Sequence, residues 1–378
     1  MIATRVITHP EDIKPIEEFW DRLAIESHRP FCSPAWMMAW WTHAAPANAL
    51  LRVIVVEDGD TLIGIAPLFA QRLRGGIVRY RFLSSPISKY LEPLAVAGRE
   101  REVAGELAGA ISRLLPPPDL LVFEGVPVQS DWPPLLREHW PAPVTPWERN
   151  AYVTASPLIG LANSTFEEWW ATRSSRWRKD FGRQRRRLDE HSVDFRLHNG
   201  RDAAGHIHDF ANLHRARWAA RGGSFVLTRG ADDMLVDVAA RLSTTDRFRL
   251  WTMDIDGRSV SSHLFVAAGG EVSYWLGGFD EEWAWCSPAM QVIFEAVKHS
   301  WQSGDERFNL GAGAQPYKYR FATAEELLHW SQIAPRGRRY ALTRLALAPS
   351  QVREKVSGRL PESAREKIRR AMSRIKDR

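Results

Sequence analysis

The residues with most chemistry to offer cluster in the second half of this 378-residue chain. His263 sits in Ser261-Ser262-His263, inside an apolar run, and a histidine near its ordinary pKa is the simplest general base for an amine. Asp280 follows a run of alternating residues and is an alternative base or an acid that orients an amine; as an Asp it also suits a plain turn. Ser287-Pro288 reads as a helix start with a capping hydroxyl and a proline in the first turn. The first amides of a helix lack partners and carry partial positive charge, so such a start is an anion site as well as a cap. Lys318, between Tyr317 and Tyr319, could meet a phosphate or a carboxylate. The spacing of Gly311 and Gly313 fits neither a dinucleotide loop nor a P-loop; glycines there let the backbone bend or approach a ligand closely. No Ser-His-Asp order, His-x-x-x-His pair or paired cysteine occurs, so neither a hydrolase nor a metal site is expected.

Positioning these residues falls to a stretch from Arg249 to Phe321. Strands over Leu250–Ile255 and Glu271–Phe279 flank a third, with Asp256-Gly257 and Gly269-Gly270 as hairpin turns. Val272, Tyr274 and Leu276 alternate with Ser273, Trp275 and Gly277. Met290, Ile293, Phe294 and Val297 give the following helix an apolar face, and Arg307–Leu310 starts the last strand. The first half repeats the order. Strands over Leu50–Glu57, Leu62–Ala70 and Ile77–Leu83 turn at Asp58-Gly59 and Gly75-Gly76. A helix over Glu100–Leu115 and a strand over Leu120–Glu124 follow. Each half is led in by strand, helix, helix. The pattern predicts a degenerate tandem repeat of one α/β unit, with a first domain over 1–125, a Pro-rich linker over 126–157, a second domain over 158–335 and a basic tail over 336–378.

Composition is that of a globular protein: 44% hydrophobic and 25% charged residues. Cys32 and Cys286 give no disulfide framework and fit a reducing compartment. No signal peptide and no spanning segment is legible, so the expected location is cytoplasmic, or peripheral to the inner membrane. The net charge of +6 is uneven. The run Arg173–Arg187 has a single acid, Asp180, and a narrow apolar stripe of Trp177, Phe181 and Leu188. Arg176, Arg183 and Arg187 share the opposite face and are candidate phosphate ligands; the alternative is a solvated cationic face. The basic tail from Gln351 carries loose helical spacing that could rest on an anionic membrane.

Strand, helix, helix, three antiparallel strands, helix, strand is the element order of the GNAT acyltransferase fold. The segments YWLGGFDEEWAWCSPAMQVIFEAVKHS and RFNLGAGAQPYKYRF resemble the CelD-type, cellulose-biosynthesis acetyltransferase-like family, which is related to Fem-type aminoacyltransferases. FCSPAWMMAWW and IGIAPLF are similar to that family's first half. The resemblance implies two tandem GNAT-like domains, each a mixed, mostly antiparallel sheet flanked by helices. It implies acetyl-CoA or another acyl-CoA as co-substrate and no metal. The backbone of Trp275, Gly277, Gly278 and Phe279 would then hold the pantetheine, the amides after Ser287 the pyrophosphate, and Gly311, Gly313 and Lys318 would complete the donor site. Tyr317 would protonate the leaving thiolate, with His263 or Asp280 as base. The usual GNAT pyrophosphate loop is rich in Arg and Gly, whereas 280–286 carries three acids.

The expected function is N-acyl transfer from acyl-CoA to an amine on a small molecule or a glycan precursor, in envelope or exopolysaccharide biosynthesis. Two alternatives stay open: a Fem-like transferase using aminoacyl-tRNA, and a non-catalytic module binding a glycan or nucleotide sugar.

Overall fold

The computed structural model describes residues 2–348 except 86, 142–144, 220–221 and 338. The first half runs β1 (Ile2–Ile7), α1 (Glu17–Glu26), α2 (Pro34–His43), β2 (Ala49–Asp58), β3 (Thr61–Arg72), β4 (Val78–Phe82), the two-residue β5 (Leu94–Ala95), α3 (Glu100–Ser112) and β6 (Leu120–Pro127). Between the halves lie α4 (Trp132–Glu138), β7 (Trp147–Gly160), α5 (Phe166–Thr172) and α6 (Ser175–Leu188). The second half is β8 (Val193–His198), α7 (Gly200–Ala219), α8 (Ala231–Arg241), β9 (Phe248–Ile255), β10 (Arg258–Ala268), β11 (Glu271–Phe279), α9 (Pro288–Gln302) and β12 (Arg307–Asn309). The chain closes with α10 (Lys318–Phe321) and β13 (Ala324–Ala334). The expected repeat of strand, two helices, three antiparallel strands, helix, strand is present in both halves. Hairpin glycines sit where their chemistry requires: Gly257 at φ 79° and Gly269 at φ 60° adopt the left-handed conformation that a side chain disfavours.

Among the described residues thirteen strands form one sheet, in the order β1-β2-β3-β4-β6-β13-β7-β12-β11-β10-β9-β8, with β5 attached to β3. The middle of that order is an exchange. β7 leaves the first half but pairs with β12 of the second, and β13 leaves the second half but pairs with β6 of the first. β7 and β13 then pair with each other, antiparallel, from Leu158↔Ala324 to Trp147↔Ala334. The Pro-rich segment 126–157, expected as a linker, is therefore built into the fold as the end of β6, α4 and most of β7. Pro127 ends β6 and Pro133 and Pro134 sit in the first turn of α4, where no ladder donor is lost, while Pro157 lies inside β7 opposite Glu325.

The halves also share a core. One apolar cluster runs from Trp20, Trp36 and Phe69 in the first half to Phe210, Leu235 and Leu264 in the second. Ion pairs rim this contact, with Arg247 on Asp21 at 2.6 Å and Arg241 on Glu17 at 3.1 Å. A second cluster, on the other face of the second half, is largely aromatic: Trp169, Trp177, Phe181, Phe294 and Phe321 gather α5, α6, α9 and α10. The register of β10 against β11 steps from Leu264↔Leu276 to Phe265↔Tyr274, so Trp275 is a bulged residue. The expected alternation fails there. Trp275 and Leu276 both pack toward the shared core, while Val272 and Tyr274 face the aromatic cluster.

Only the start of the expected tail is described. Arg344 lies over Trp147 at 4.2 Å and Arg339 is 3.6 Å from Asp119; the amphipathic segment from Gln351 lies outside the described residues. Among the described residues no helix is long and apolar enough to cross a membrane.

The contact between halves is tight at two glycines. A Cβ on Gly230 would lie 1.8 Å from the His43 carbonyl oxygen, and one on Gly269 2.0 Å from that of Ile25. We predict that Gly230→Ala and Gly269→Ala each cost roughly 1–3 kcal/mol, because rigid backbone must move. Gly257→Ala meets open space and should cost only its backbone strain, about 1 kcal/mol. Equal unfolding free energies for all three in urea titrations would contradict the shared-core account.

Candidate active site

β12 pairs with β11 only at Glu271–Ser273. Beyond that point β10 still covers one edge of β11, and no strand among the described residues covers the other. The strands splay because Trp275 bulges and because Gly311, at φ 79°, turns the chain away from β12. Into the wedge opens a cavity of about 580 Å³ lined by β11 (Tyr274 to Gly277 and Phe279), the start of α9 (Ser287, Ala289, Met290), α7 (His214, Arg217) and the segment bearing Tyr317 and Lys318. A smaller cavity of about 240 Å³ adjoins it, sharing Tyr274, Trp275 and Lys318. Phe31 and Ile87 to Tyr90 of the first half line this second space, together with Asn309 to Ala312.

The first half is built differently at this point. β4 and β6 pair in parallel from Arg79↔Leu120 to Arg81↔Val122 and then separate in the same way. There the chain after β4 fills the wedge. The Ser85 hydroxyl donates to Glu124, the Tyr90 amide donates to the Gly125 carbonyl at 2.8 Å, and Arg81 is paired with Glu124 at 2.6 Å. The same segment reaches across. Trp275 Nε1 donates to the Ile87 carbonyl at 3.0 Å, and Asn309 Nδ2 to the Tyr90 hydroxyl at 2.6 Å.

At its other end the cavity meets the N-terminus of α9. Ser287 occupies the cap position but does not cap, contrary to the expectation from Ser-Pro. Its backbone is left-handed (φ 55°, ψ 55°), and its hydroxyl accepts from Gln184 Nε2 of α6 at 3.1 Å. α6 is thus docked beside this helix start. Arg187 lies 4.3 Å above the Trp285 ring. Arg185 turns inward, donating to Gln291 at 3.0 Å and pairing with Glu295. Arg176 and Arg183 are exposed, Arg183 being 2.7 Å from Asp180. The acids of 280–286 are partly neutralised, Asp280 by Arg258 at 2.9 Å and Glu281 by Arg217.

The predicted site residues separate into groups. Trp275, Gly277, Phe279, Ser287, Tyr317, Lys318 and His263 line the larger cavity, and Gly311 the smaller. Gly278 does not; a Cβ there would lie 2.3 Å from the His214 amide nitrogen, so its role is to let α7 lie against β11. Gly313 donates its amide to the Ala155 carbonyl at 2.7 Å, which fastens the loop to β7. Asp280 caps the 3-10 turn Glu281–Cys286, accepting from the Glu282 amide at 3.1 Å, and faces an outer cleft with Asp209 and Arg258. This is a turn residue's work, not a base's.

His263 is not the near-neutral base that its type suggested. Burial pushes its pKa down to about 3, with the positive charge of Arg217 acting in the same direction. Its nitrogens are engaged by Tyr274 Oη at 3.0 Å and Ser261 Oγ at 3.1 Å. Tyr317 is pushed up to about 12 by burial and stays a phenol. Lys318 is the unusual group. Its ammonium donates to the carbonyls of Gly311 at 2.7 Å and Ala312 at 3.0 Å, and burial lowers its pKa to about 7. A lysine so poised can both take and give a proton near neutrality.

Sequence reading missed His214, Arg217 and Tyr274. His214 Nδ1 donates to the Gly277 carbonyl at 2.9 Å, and the Arg217 guanidinium lies 3.8 Å from the centre of the Phe279 ring. The spacing of His214 and Arg217 does place both on one helix face, but nothing local says that this face meets β11.

Residues 175–319 match the family described as acetyltransferase (GNAT) domain, Acetyltransf_6. The chain carries a GNAT-type acyltransferase fold. FemX is similar in structure, with a TM-score of 0.63 at 11% identity, over 90% of this chain and 99% of that one. So is L-PGS from Bacillus licheniformis, with a TM-score of 0.54 at 10% identity, over 90% and 96%. The C-terminal DUF2156 domain of a protein assigned as a lysylphosphatidylglycerol synthetase, from Agrobacterium fabrum, gives 0.57 at 13% identity, over 90% and 96%. No curated protein matches the chain in sequence.

His263 supplies a test of the site's burial. Its folded pKa of about 3 lies below the unfolded value of 6.5, so between these the unfolded chain binds the proton and stability falls as pH falls. His263→Gln should remove up to about 1.4 kcal/mol per pH unit of that slope. An unchanged pH dependence of unfolding between pH 6.5 and 3 would show that His263 is solvated.

Proposed function

We propose that the protein is an N-acyltransferase that moves an acyl group from acyl-CoA to an amine. The observation that carries this reading is the continuity of the wedge beside β11 with the N-terminus of α9, against which α6 sets its arginines. A thioester donor would lie with its pantetheine along the free edge of Tyr274–Phe279 and its phosphates among the first amides of α9 and Arg187. Such a site suits an anion through both the helix dipole and side-chain charge. Arg183 and Arg176, further along the cationic face, would reach the remaining phosphate.

The acceptor amine would enter from the smaller cavity, whose walls come from both halves. Its nitrogen attacks the thioester carbonyl, the N–C bond forms and the C–S bond breaks. Neutral Lys318 takes the proton that the amine loses. Tyr317 gives its phenolic proton to the leaving thiolate, and Lys318 then returns a proton to Tyr317. Lys318, charged once it holds that proton, would steady the negative charge on the carbonyl oxygen. An envelope or exopolysaccharide precursor remains the proposed source of the amine.

A second reading has its own observation. α6 is 14 residues long, roughly 21 Å at 1.5 Å per residue, and its exposed arginines run further than a pyrophosphate needs. That length suits the backbone of an aminoacyl-tRNA.

Titration calorimetry with acetyl-CoA and with charged tRNA separates the two. We expect acetyl-CoA to bind and tRNA to bind only weakly; the reverse would establish the second reading, and binding of neither would leave a non-catalytic module. Lys318→Met should lower kcat at least 100-fold with little change in donor affinity, and the wild-type kcat/KM should rise with pH to a plateau above about 7. A variant retaining wild-type kcat would remove Lys318 from the chemistry. The triple change Arg176→Gln, Arg183→Gln, Arg187→Gln should weaken donor binding and flatten its salt dependence without lowering Tm, since the screening length falls to about 3 Å at 1 M salt. Unchanged affinity at low salt would make α6 a solvated face.

A further inference from the structure

Away from the cavity, the last residue of β8 and the first turns of α7 bring together side chains that the site does not use. His198 ends β8, and Asp202 and His206 follow on α7 at a spacing that puts them on one face. One ligand atom of each lies within 4.8 Å of the others. His198 Nδ1 is 2.6 Å from Asp202 Oδ2, and His206 Nε2 is 3.9 Å from Asp202 Oδ1. The two imidazoles are stacked, with centroids 3.7 Å apart and planes at 29°.

The surroundings are those of a ligand set. His198 is buried, and its Nε2 lies 3.1 Å from the hydroxyl of buried Thr252 on β9. Nδ1–H donates to Asp202; with the proton moved to Nε2, where the Thr252 hydroxyl can accept it, the Nδ1 lone pair is freed for an ion, and a ligating histidine commonly has its other nitrogen anchored in this way. Asp202 is exposed, which leaves its carboxylate open to an entering ion. His206 is half-buried, which leaves a path for an ion. Donors bound to Zn2+ at about 2.0–2.2 Å lie roughly 3–4 Å from each other, so small side-chain rotations close the set.

We propose that His198, Asp202 and His206 bind a divalent transition cation, Zn2+ foremost, with solvent in the remaining position. The ion would pin the first turns of α7 to the end of β8 and, through Thr252, to β9. The far end of the same helix carries His214 and Arg217 into the cavity. The site is therefore a clamp on α7, not part of the acyl-transfer chemistry, and it stands whether or not the proposed reaction does.

The test uses the full chain, free of any affinity tag and stripped with a chelator. Titration with Zn2+ alone should show one equivalent bound and a rise in Tm that the chelator reverses. Co2+ alone should give the visible absorption bands of a low-symmetry site with nitrogen ligands. Asp202→Asn and His206→Gln lie at accessible positions, so the metal-free proteins should melt as wild type does, with Zn2+ affinity at least 10-fold weaker in each and no Tm rise in the double variant. Absence of a Zn2+-dependent Tm rise in the wild type overturns the proposal. So does Zn2+ binding of equal affinity in the double variant, which would place the ion elsewhere. Should a variant fail to fold, the Co2+ spectrum of the wild type decides alone, and its absence is fatal to the site.

Discussion

The structure depends on an exchange of strands at the centre of its sheet. Each half completes itself with the other's last strand, β7 against β12 and β13 against β6, and the two exchanged strands pair with each other. A half on its own would end in an unpaired edge of main-chain donors and acceptors, which is costly when buried and prone to aggregate when not. The shared apolar cluster of α1, α2, α7 and α8 adds to the same effect. The repeat is thus two copies of one topology that fold as one object.

That constraint sets the segment after β4 of the first half against the cavity of the second. The parallel pairs β4–β6 and β11–β12 both begin to splay after a few residues. In the first half the segment carrying Ser85 and Tyr90 lies in this wedge, Ser85 tied to Glu124 and Tyr90 to Gly125. Held there by the exchange, its outer side becomes a wall of the second half's site, with Trp275 and Asn309 donating to Ile87 and Tyr90. The residues that tie the first half at this point are also the far wall of the second half's site. Behind it, half-buried Arg29 pairs with Glu92 at 2.7 Å and Arg307 with Glu271 at 3.0 Å; burial pushes the Glu271 carboxyl up to about 7 against the pull of the arginines.

Much of this was legible in the chain because its cause is local. Asp256-Gly257 and Gly269-Gly270 set the hairpins of β9, β10 and β11, and the expected bounds of Glu271–Phe279 are those of β11. The apolar stripe of Trp177, Phe181 and Leu188 placed α6 correctly as a helix with a cationic face. What escaped was non-local. β7 reads WERNAYVTASPLIG, with weak alternation and an internal proline, and its strand character comes from partners more than a hundred residues away. His263 was read by residue type, but its pKa is set by burial beneath helices that sequence cannot dock. His214 and Arg217 were invisible for the same reason, as were His198, Asp202 and His206, whose convergence needs a strand end and a helix start to meet.

The central claim is that a phosphorylated thioester donor lies between the free edge of β11 and the N-terminus of α9. Hydrogen exchange with and without acetyl-CoA tests it most directly. The account predicts slowed amide exchange confined to Tyr274–Phe279, the first turns of α9 and the neighbouring face of α6, with β4 and the segment from Ser84 to Tyr90 changed little. Protection centred on β4 and β6, or none anywhere at saturating acetyl-CoA, would contradict it.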